Sequence, residues 1–143
     1  MATVLRYWGP IVAYAGLIFY LSSQPHPEEN LPSIVSLFSD KFLHVIEYAV
    51  LGGLFYRGFR WGTDESWRPW AVPLALLCTS LYGVSDEIHQ SFVPFRESSW
   101  LDWLADTIGA TLGAAGLARI SSLAANGGGF GGLHAKRTTD SRP

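Results

Sequence analysis

Residues 7–21, YWGPIVAYAGLIFYL, form an apolar run that contains no acidic or basic side chain. Three further apolar runs lie at about 42–59, 70–88 and 100–120. Each run is close to the roughly 20 residues that a membrane-spanning helix needs. The sequence therefore predicts an all-α integral membrane protein, with a bundle of four transmembrane helices over residues 1–122.

The composition agrees with a membrane location. Hydrophobic residues make up 48% of the chain and charged residues 15%, against roughly 25% charged residues in a soluble domain. A soluble four-helix bundle would need a long polar face on every helix, and the first and third runs lack one. The net charge of −2 gives no reason to expect a nucleic-acid partner. After Ser122 the chain becomes Gly-rich and then polar, so residues 123–143 are predicted to form a disordered tail.

Basic residues are unevenly divided between the two ends of such a bundle. With four spans, the N-terminus, the loop after the second run and the C-terminus lie on one side. The other side holds only Lys41 and Arg96. Because Lys and Arg concentrate on the cytoplasmic side of membrane proteins, both termini are predicted to be cytoplasmic. The remaining eight of the ten basic residues are Arg6, Arg57, Arg60, Arg68, Arg119, Lys136, Arg137 and Arg142.

Ionisable residues interrupt the second run with helical spacing. At about 100° per residue, one stripe contains Asp40, His44, Glu47 and Leu51, with Lys41 and Tyr48 beside it. A charged group at the centre of a membrane costs roughly 2.5–3.5 kcal/mol on insertion scales, so the stripe should face protein or water. Glu47 is the most demanding member, because it lies two turns below the start of the helix.

The third and fourth runs also carry polar residues, at the end of the third and at the start of the fourth. The fourth begins with Asp102 and Asp106, directly above the G-x-x-x-G pair Gly109 and Gly113, which would serve internal packing or dimerisation equally well. In a four-span arrangement, the start of the second helix, the end of the third and the start of the fourth meet at one face. The sequence thus predicts a single acidic pocket at the outer leaflet. The third run contributes Asp86, Glu87 and Gln90, followed by Pro94 and Arg96.

Four motifs, taken together and in order, resemble the VanZ-like membrane proteins. They lie at 21–25 (LSSQP), 40–52, 86–96 and 102–113. The resemblance implies a bacterial inner- or plasma-membrane protein of the cell envelope, related to one that confers resistance to the lipoglycopeptide teicoplanin. It implies no particular mechanism. Family members commonly carry Asn where this chain has Asp106.

The favoured function is recognition, with or without modification, of a lipid-linked or phosphorylated envelope molecule. Lys41 and Arg96 would hold phosphate, the latter through a bidentate fork. His44 beside Glu47 would act as a general acid or base. The other catalytic candidates, Asp86 and Glu87, would activate water or hold a cation. The remaining binding candidates are Asp40, Tyr48, Gln90, Pro94, Asp102 and Asp106.

Two alternatives stay open at this point. The polar groups could simply fix helix packing, although polar contacts between membrane helices average only about 0.6 kcal/mol in one bundle. A divalent cation, Mg²⁺ or Ca²⁺ before Zn²⁺, could instead bind His44, Glu47 and Asp86, completed by Asp102 and Asp106. No other cofactor is expected. No Ser or Cys is obviously paired with a base, which argues against covalent acyl chemistry.

Overall fold

The computed structural model describes residues 1–25, 40–96 and 98–127. Within these ranges the chain forms four α-helices and one 3₁₀ helix, Glu65–Trp70, and it contains no strand. The prediction of an all-α protein is therefore confirmed for the described residues. The helices are α1 (Ala2–Ser22), α2 (Asp40–Trp61), α3 (Ala71–Gln90) and α4 (Trp100–Gly127).

Three segments of the described chain are long and apolar enough to cross a membrane, namely Ala2–Ser22, Glu65–Gln90 and Trp100–Asn126. They correspond to α1, to the 3₁₀ helix with α3, and to α4. The helix α2 is not among them, because its charged residues lower its mean hydropathy. The number of four spans and the cytoplasmic termini stay predictions.

The last helix continues beyond the domain boundary predicted at Ser122. It ends at Gly127, so the first residues of the predicted tail are helical. The rest of that tail, residues 128–143, lies outside the described residues.

The most charged helix, α2, packs against each of the other three, and most extensively against α4. Its side chains Tyr48 and Leu51 are fully buried, in a core cluster with Ile11 and Ile18 of α1. A second cluster joins Tyr56 of α2 to small residues of α3 and α4. Enclosure by three neighbours removes much of α2 from lipid, which is why this helix can carry more polar residues than the others.

Glycines bring the backbones of α2 and α4 into direct contact. A Cβ atom added at Gly113 would lie 1.8 Å from the carbonyl oxygen of Ala49, and one added at Gly109 would lie 2.3 Å from that of Val45. Gly52 of α2 approaches α4 in the same manner. We call Gly52, Gly109 and Gly113 the glycine seam. Of the two uses predicted for the G-x-x-x-G pair, the structure shows internal packing.

The two ends of the bundle differ in chemistry. At the end where α1 begins and α2 stops, the Arg57 guanidinium lies 4.8 Å from the centroid of the Tyr7 ring and donates a hydrogen bond to the Arg6 carbonyl. Trp8 contacts Phe59 at the same end, edge to face. Outward-facing side chains along the flanks are large and apolar, including Leu77 of α3 and Leu112 of α4. The buried acidic residues Asp86, Glu87, Asp102 and Asp106 gather at the opposite end.

Candidate functional site

Two side-chain contacts join α2 to α4 at the acidic end of the bundle. His44 Nδ1 lies 2.8 Å from Asp106 Oδ1, and the Asp106 side chain is completely buried. One turn earlier on each helix, Lys41 pairs with Asp102. Lys41 is half-exposed and Asp102 is buried. The glycine seam sets this pairing, because backbone contact lets short carboxylate side chains on α4 reach α2.

Asp86 of α3 is held by uncharged donors. Ser22 Oγ donates to Asp86 Oδ1 at 2.6 Å, and Gln90 Nε2 donates to Asp86 Oδ2 at 3.0 Å. All three side chains are buried. Both carboxylate oxygens of Asp86 therefore accept a hydrogen bond. The bond from Ser22 links α1 to α3.

Ser23 and His89 form a neighbouring contact between α1 and α3. Ser23 Oγ lies 3.0 Å from His89 Nε2, and the His89 ring stacks on Phe19 at a centroid distance of 4.4 Å. The Ser23 hydroxyl donates its one proton to the Phe19 carbonyl at 2.6 Å. His89 must then be the donor toward Ser23, so this contact does not activate a serine nucleophile.

Glu87 faces the other side of α3, toward α2 and α4. Its Oε2 accepts a hydrogen bond of 2.7 Å from the backbone N–H of Ser99, immediately before α4. Its Oε1 is buried and has no hydrogen-bond partner among the described residues. His44, Glu87 and Asp106 each offer a ligand atom, and these three atoms lie within 4.8 Å of one another. Glu87 therefore belongs with the His44–Asp106 pair rather than with Asp86.

The buried side of α2 differs from the predicted polar stripe. Its buried side chains include His44, Tyr48, Leu51 and Tyr56, whereas Glu47 is only half-buried. Tyr48 is fully buried beneath His44, and its hydroxyl has no hydrogen-bond partner within the described ranges. A Cβ atom added at Gly83 of α3 would lie 2.9 Å from Asp106 Oδ2, so Gly83 leaves the room that this carboxylate occupies.

The connection between α3 and α4 carries two further predicted residues. Phe95 has a φ angle of 63°, in the left-handed region that residues other than glycine seldom adopt. Arg96 follows it with a buried Nε that has no hydrogen-bond partner in the described part of the chain. Pro94 is exposed. Asp40 begins α2, and its side chain lies outside the described part of the structure.

An open groove of about 240 Å³ runs between α3 and α4 beside Glu87. Its polar lining residues are Glu87, Ser98 and Ser99. Since its apolar residues are on the outward sides of two candidate spans, the groove opens on the flank of the bundle. The apolar lining consists of Val84, Ile88, Trp100 and Trp103.

A family model described as VanZ/LLP1 matches residues 8–121. The chain belongs to the VanZ/LLP1 family. The resemblance predicted from the four motifs is thereby confirmed, and the match to the VanZ/LLP1 model spans α2, α3 and most of α1 and α4. Searches of curated proteins and of solved structures gave no match.

In this VanZ/LLP1 chain, the structure brings most of the predicted residues together. We call the buried acids and their partners at this end the polar cluster. Sequence reasoning assigned no role to Ser22 or Ser99, although Ser22 lies in the LSSQP motif and Ser99 directly precedes the fourth predicted helix. Glu47 and Pro94 lie outside the cluster. The polar cluster comprises Lys41, His44, Asp86, Glu87, Gln90, Asp102 and Asp106.

Proposed function

We propose that this VanZ-like protein recognises the head group of a lipid-linked or phosphorylated envelope molecule in the outer leaflet. The observation that carries the proposal is the groove between α3 and α4. Val84, Ile88 and the two tryptophans offer an apolar wall, and the buried Glu87 lines the same groove. A site that combines an apolar wall with a few polar groups suits an amphipathic ligand with a hydrocarbon chain. By family resemblance, such recognition would underlie resistance to teicoplanin.

The topology is part of the same proposal. Four spans with cytoplasmic termini put the polar cluster at the outer leaflet and the arginine-rich end inside. The distribution of charge along α2 supports a fourth span, because Lys41 and His44 lie near one end and Arg57 and Arg60 near the other. Its middle, where a lipid core would be, contains the small residues Gly52 and Gly53 and apolar side chains.

Phosphate recognition would involve Arg96. It belongs to the connection that also brings Ser98 and Ser99 to the groove, and its buried Nε has no partner among the described residues. A guanidinium can form paired, charge-assisted hydrogen bonds with phosphate oxygens. Lys41 is already paired with Asp102, so it would contribute charge rather than a free donor.

Lipid binding by matched arginine variants tests the proposal. The full chain is placed in nanodiscs with polyprenyl phosphate, and bound lipid is measured by native mass spectrometry for Arg96→Ala and Arg68→Ala. Arg68 is the control because it lies in the 3₁₀ helix at the other end of the bundle, paired with the exposed Glu65. A charge-assisted hydrogen bond contributes about 1.5–3 kcal/mol, so Arg96→Ala should bind at least about tenfold more weakly. Equal binding by both variants would count against the proposal.

A purely structural role is the second candidate, favoured by the closed hydrogen bonds around Asp86 and the Lys41–Asp102 pair. It predicts a different result for the same experiment. Arg96→Ala would lower the amount of folded protein recovered from the membrane, while lipid bound per folded molecule would equal that of the Arg68→Ala control. Measuring both quantities on each preparation separates the two functions.

A further inference from the structure

We infer that His44, Glu87 and Asp106 form a binding site for one divalent first-row metal cation, such as Mn²⁺ or Zn²⁺. The three residues come from α2, α3 and α4, and each offers one ligand atom within 4.8 Å of the other two. A cation with nitrogen and oxygen ligands at roughly 2.0–2.2 Å holds neighbouring ligand atoms roughly 3–4 Å apart. Small side-chain movements would bring these atoms to that spacing.

Unpartnered carboxylate oxygens are the second observation that points to a cation. Glu87 is 6% exposed and Asp106 is 0% exposed, and each has one buried oxygen without a hydrogen-bond partner among the described residues. A buried carboxylate oxygen that has lost water and gained no partner is costly. A divalent cation would satisfy both oxygens, and its charge would balance the two carboxylates beside a neutral imidazole.

The neighbouring acids already have hydrogen-bond or ion-pair partners, so they are less available as metal ligands than these three residues. Asp86 accepts hydrogen bonds at both oxygens, and Asp102 is paired with Lys41. The ligand set thus differs from the one predicted from sequence, in which His44 was grouped with Glu47 and Asp86. The predicted set contained up to four carboxylates and favoured Mg²⁺ or Ca²⁺. With only two carboxylates, the imidazole nitrogen has more weight, which shifts the preference toward a first-row metal such as Zn²⁺.

Three protein ligands leave at least one coordination position open, as in catalytic rather than structural metal sites. Glu87 lines the groove as well as contributing to the metal site. An anionic head group in the groove could therefore bind the cation directly, a step that rests on the function proposed above. The metal site itself does not depend on that function.

Metal binding by matched glutamate variants tests the inference. The full chain is purified in detergent, stripped with a chelator and titrated with Mn²⁺ alone or Zn²⁺ alone. Glu87→Gln removes the charge but keeps an oxygen for the Ser99 N–H, and Glu65→Gln removes an equal charge at an exposed position. We expect one ion per chain in the wild type and in Glu65→Gln. Affinity in Glu87→Gln should fall at least about tenfold, since outer-shell changes alone cost that much.

A second measurement keeps the inference testable if a variant folds poorly. A cation that binds only the folded state raises Tm, so added Mn²⁺ or Zn²⁺ should raise the Tm of the wild type and not that of Glu87→Gln or Asp106→Asn. No stoichiometric ion in the wild type, or equal affinity in Glu87→Gln and Glu65→Gln, would overturn the site.

Failure of the metal site and failure of the proposed function can be told apart. Polyprenyl phosphate binding that persists with no stoichiometric ion overturns only the metal site. Stoichiometric metal without lipid binding supports the metal site and removes the proposed function.

Discussion

At Gly113 the backbone of α4 lies against that of α2, and the space for a side chain is already filled by the carbonyl group of Ala49. Gly116, one turn further along the same helix, has nothing within 4 Å of an added Cβ. The two glycines therefore differ in packing although they share a helix and a residue type.

Alanine at these two positions gives opposite expectations. Gly113→Ala forces α2 and α4 apart and should lower the free energy of unfolding by about 1–3 kcal/mol or more, as overpacking does. Gly116→Ala should leave it unchanged or raise it by up to about 1 kcal/mol, because alanine is the better helix former. Unfolding of both variants in the same detergent micelles measures the difference. A loss of similar size in both would show that the glycine seam does not set the helix spacing.

The acidic residues show how far sequence could predict the site. Membrane depth favoured Glu47 as the central acid, and polar groups of three helices were expected to meet at one end. His44 of α2 contacts Asp106 of α4, and both lie near Glu87 of α3. The structure instead puts Glu87 with His44, because α2 is turned so that Tyr48 faces the interior. That rotation is set by contact of Gly52 with α4, a tertiary contact that periodicity along one helix does not contain.

The helix α1 packs less extensively against α3 than α2 and α4 do. A few polar contacts connect α1 to α3. Ser22 donates to Asp86 near the acidic end, and Tyr82 donates to the Ala15 carbonyl at 2.6 Å nearer the middle. Such interhelical hydrogen bonds fix the rotation and depth of α1 against α3 more than they add stability.

Removing the Ser22 hydroxyl tests this link. Ser22→Ala leaves Asp86 with one donor fewer and should cost about 0.6–1.7 kcal/mol of unfolding free energy, from the average to the largest value found for polar contacts in one membrane bundle. Ser85→Ala is the matched control, because Ser85 is exposed and bonds only to the Tyr82 carbonyl of its own helix. Unfolding of both variants in mixed micelles gives the comparison. Equal effects of both substitutions would argue against a link between α1 and α3.

The positions of the helices were largely predictable from the sequence. The predicted runs 42–59 and 70–88 correspond closely to α2 and α3, since an apolar run of this length has few alternatives to a helix. The extension of α4 to Gly127 was missed, because the run LAAN after Ser122 is short and is followed by glycines. Composition therefore located the helices better than it located their ends.

For the whole molecule, the proposed orientation predicts which surface meets the cell exterior. In a Cys78→Ala background, Ser91→Cys lies at the acidic end and Ser66→Cys in the 3₁₀ helix, and both positions are exposed. A membrane-impermeant maleimide should label Ser91→Cys in intact cells and Ser66→Cys only after permeabilisation. The reverse pattern would place the polar cluster at the cytoplasmic face, and labelling of both in intact cells would show that α3 does not span the membrane.

The groove on the flank of the bundle has a consequence for how occupancy should be expressed. A lipid that enters between α3 and α4 arrives sideways from the leaflet, without crossing water. Its occupancy is then governed by its mole fraction among the surrounding lipids rather than by its molarity in solution. Adding detergent dilutes the ligand in that two-dimensional phase even when the total amount is constant. Dissociation constants for such a protein are therefore comparable only between bilayers of the same composition.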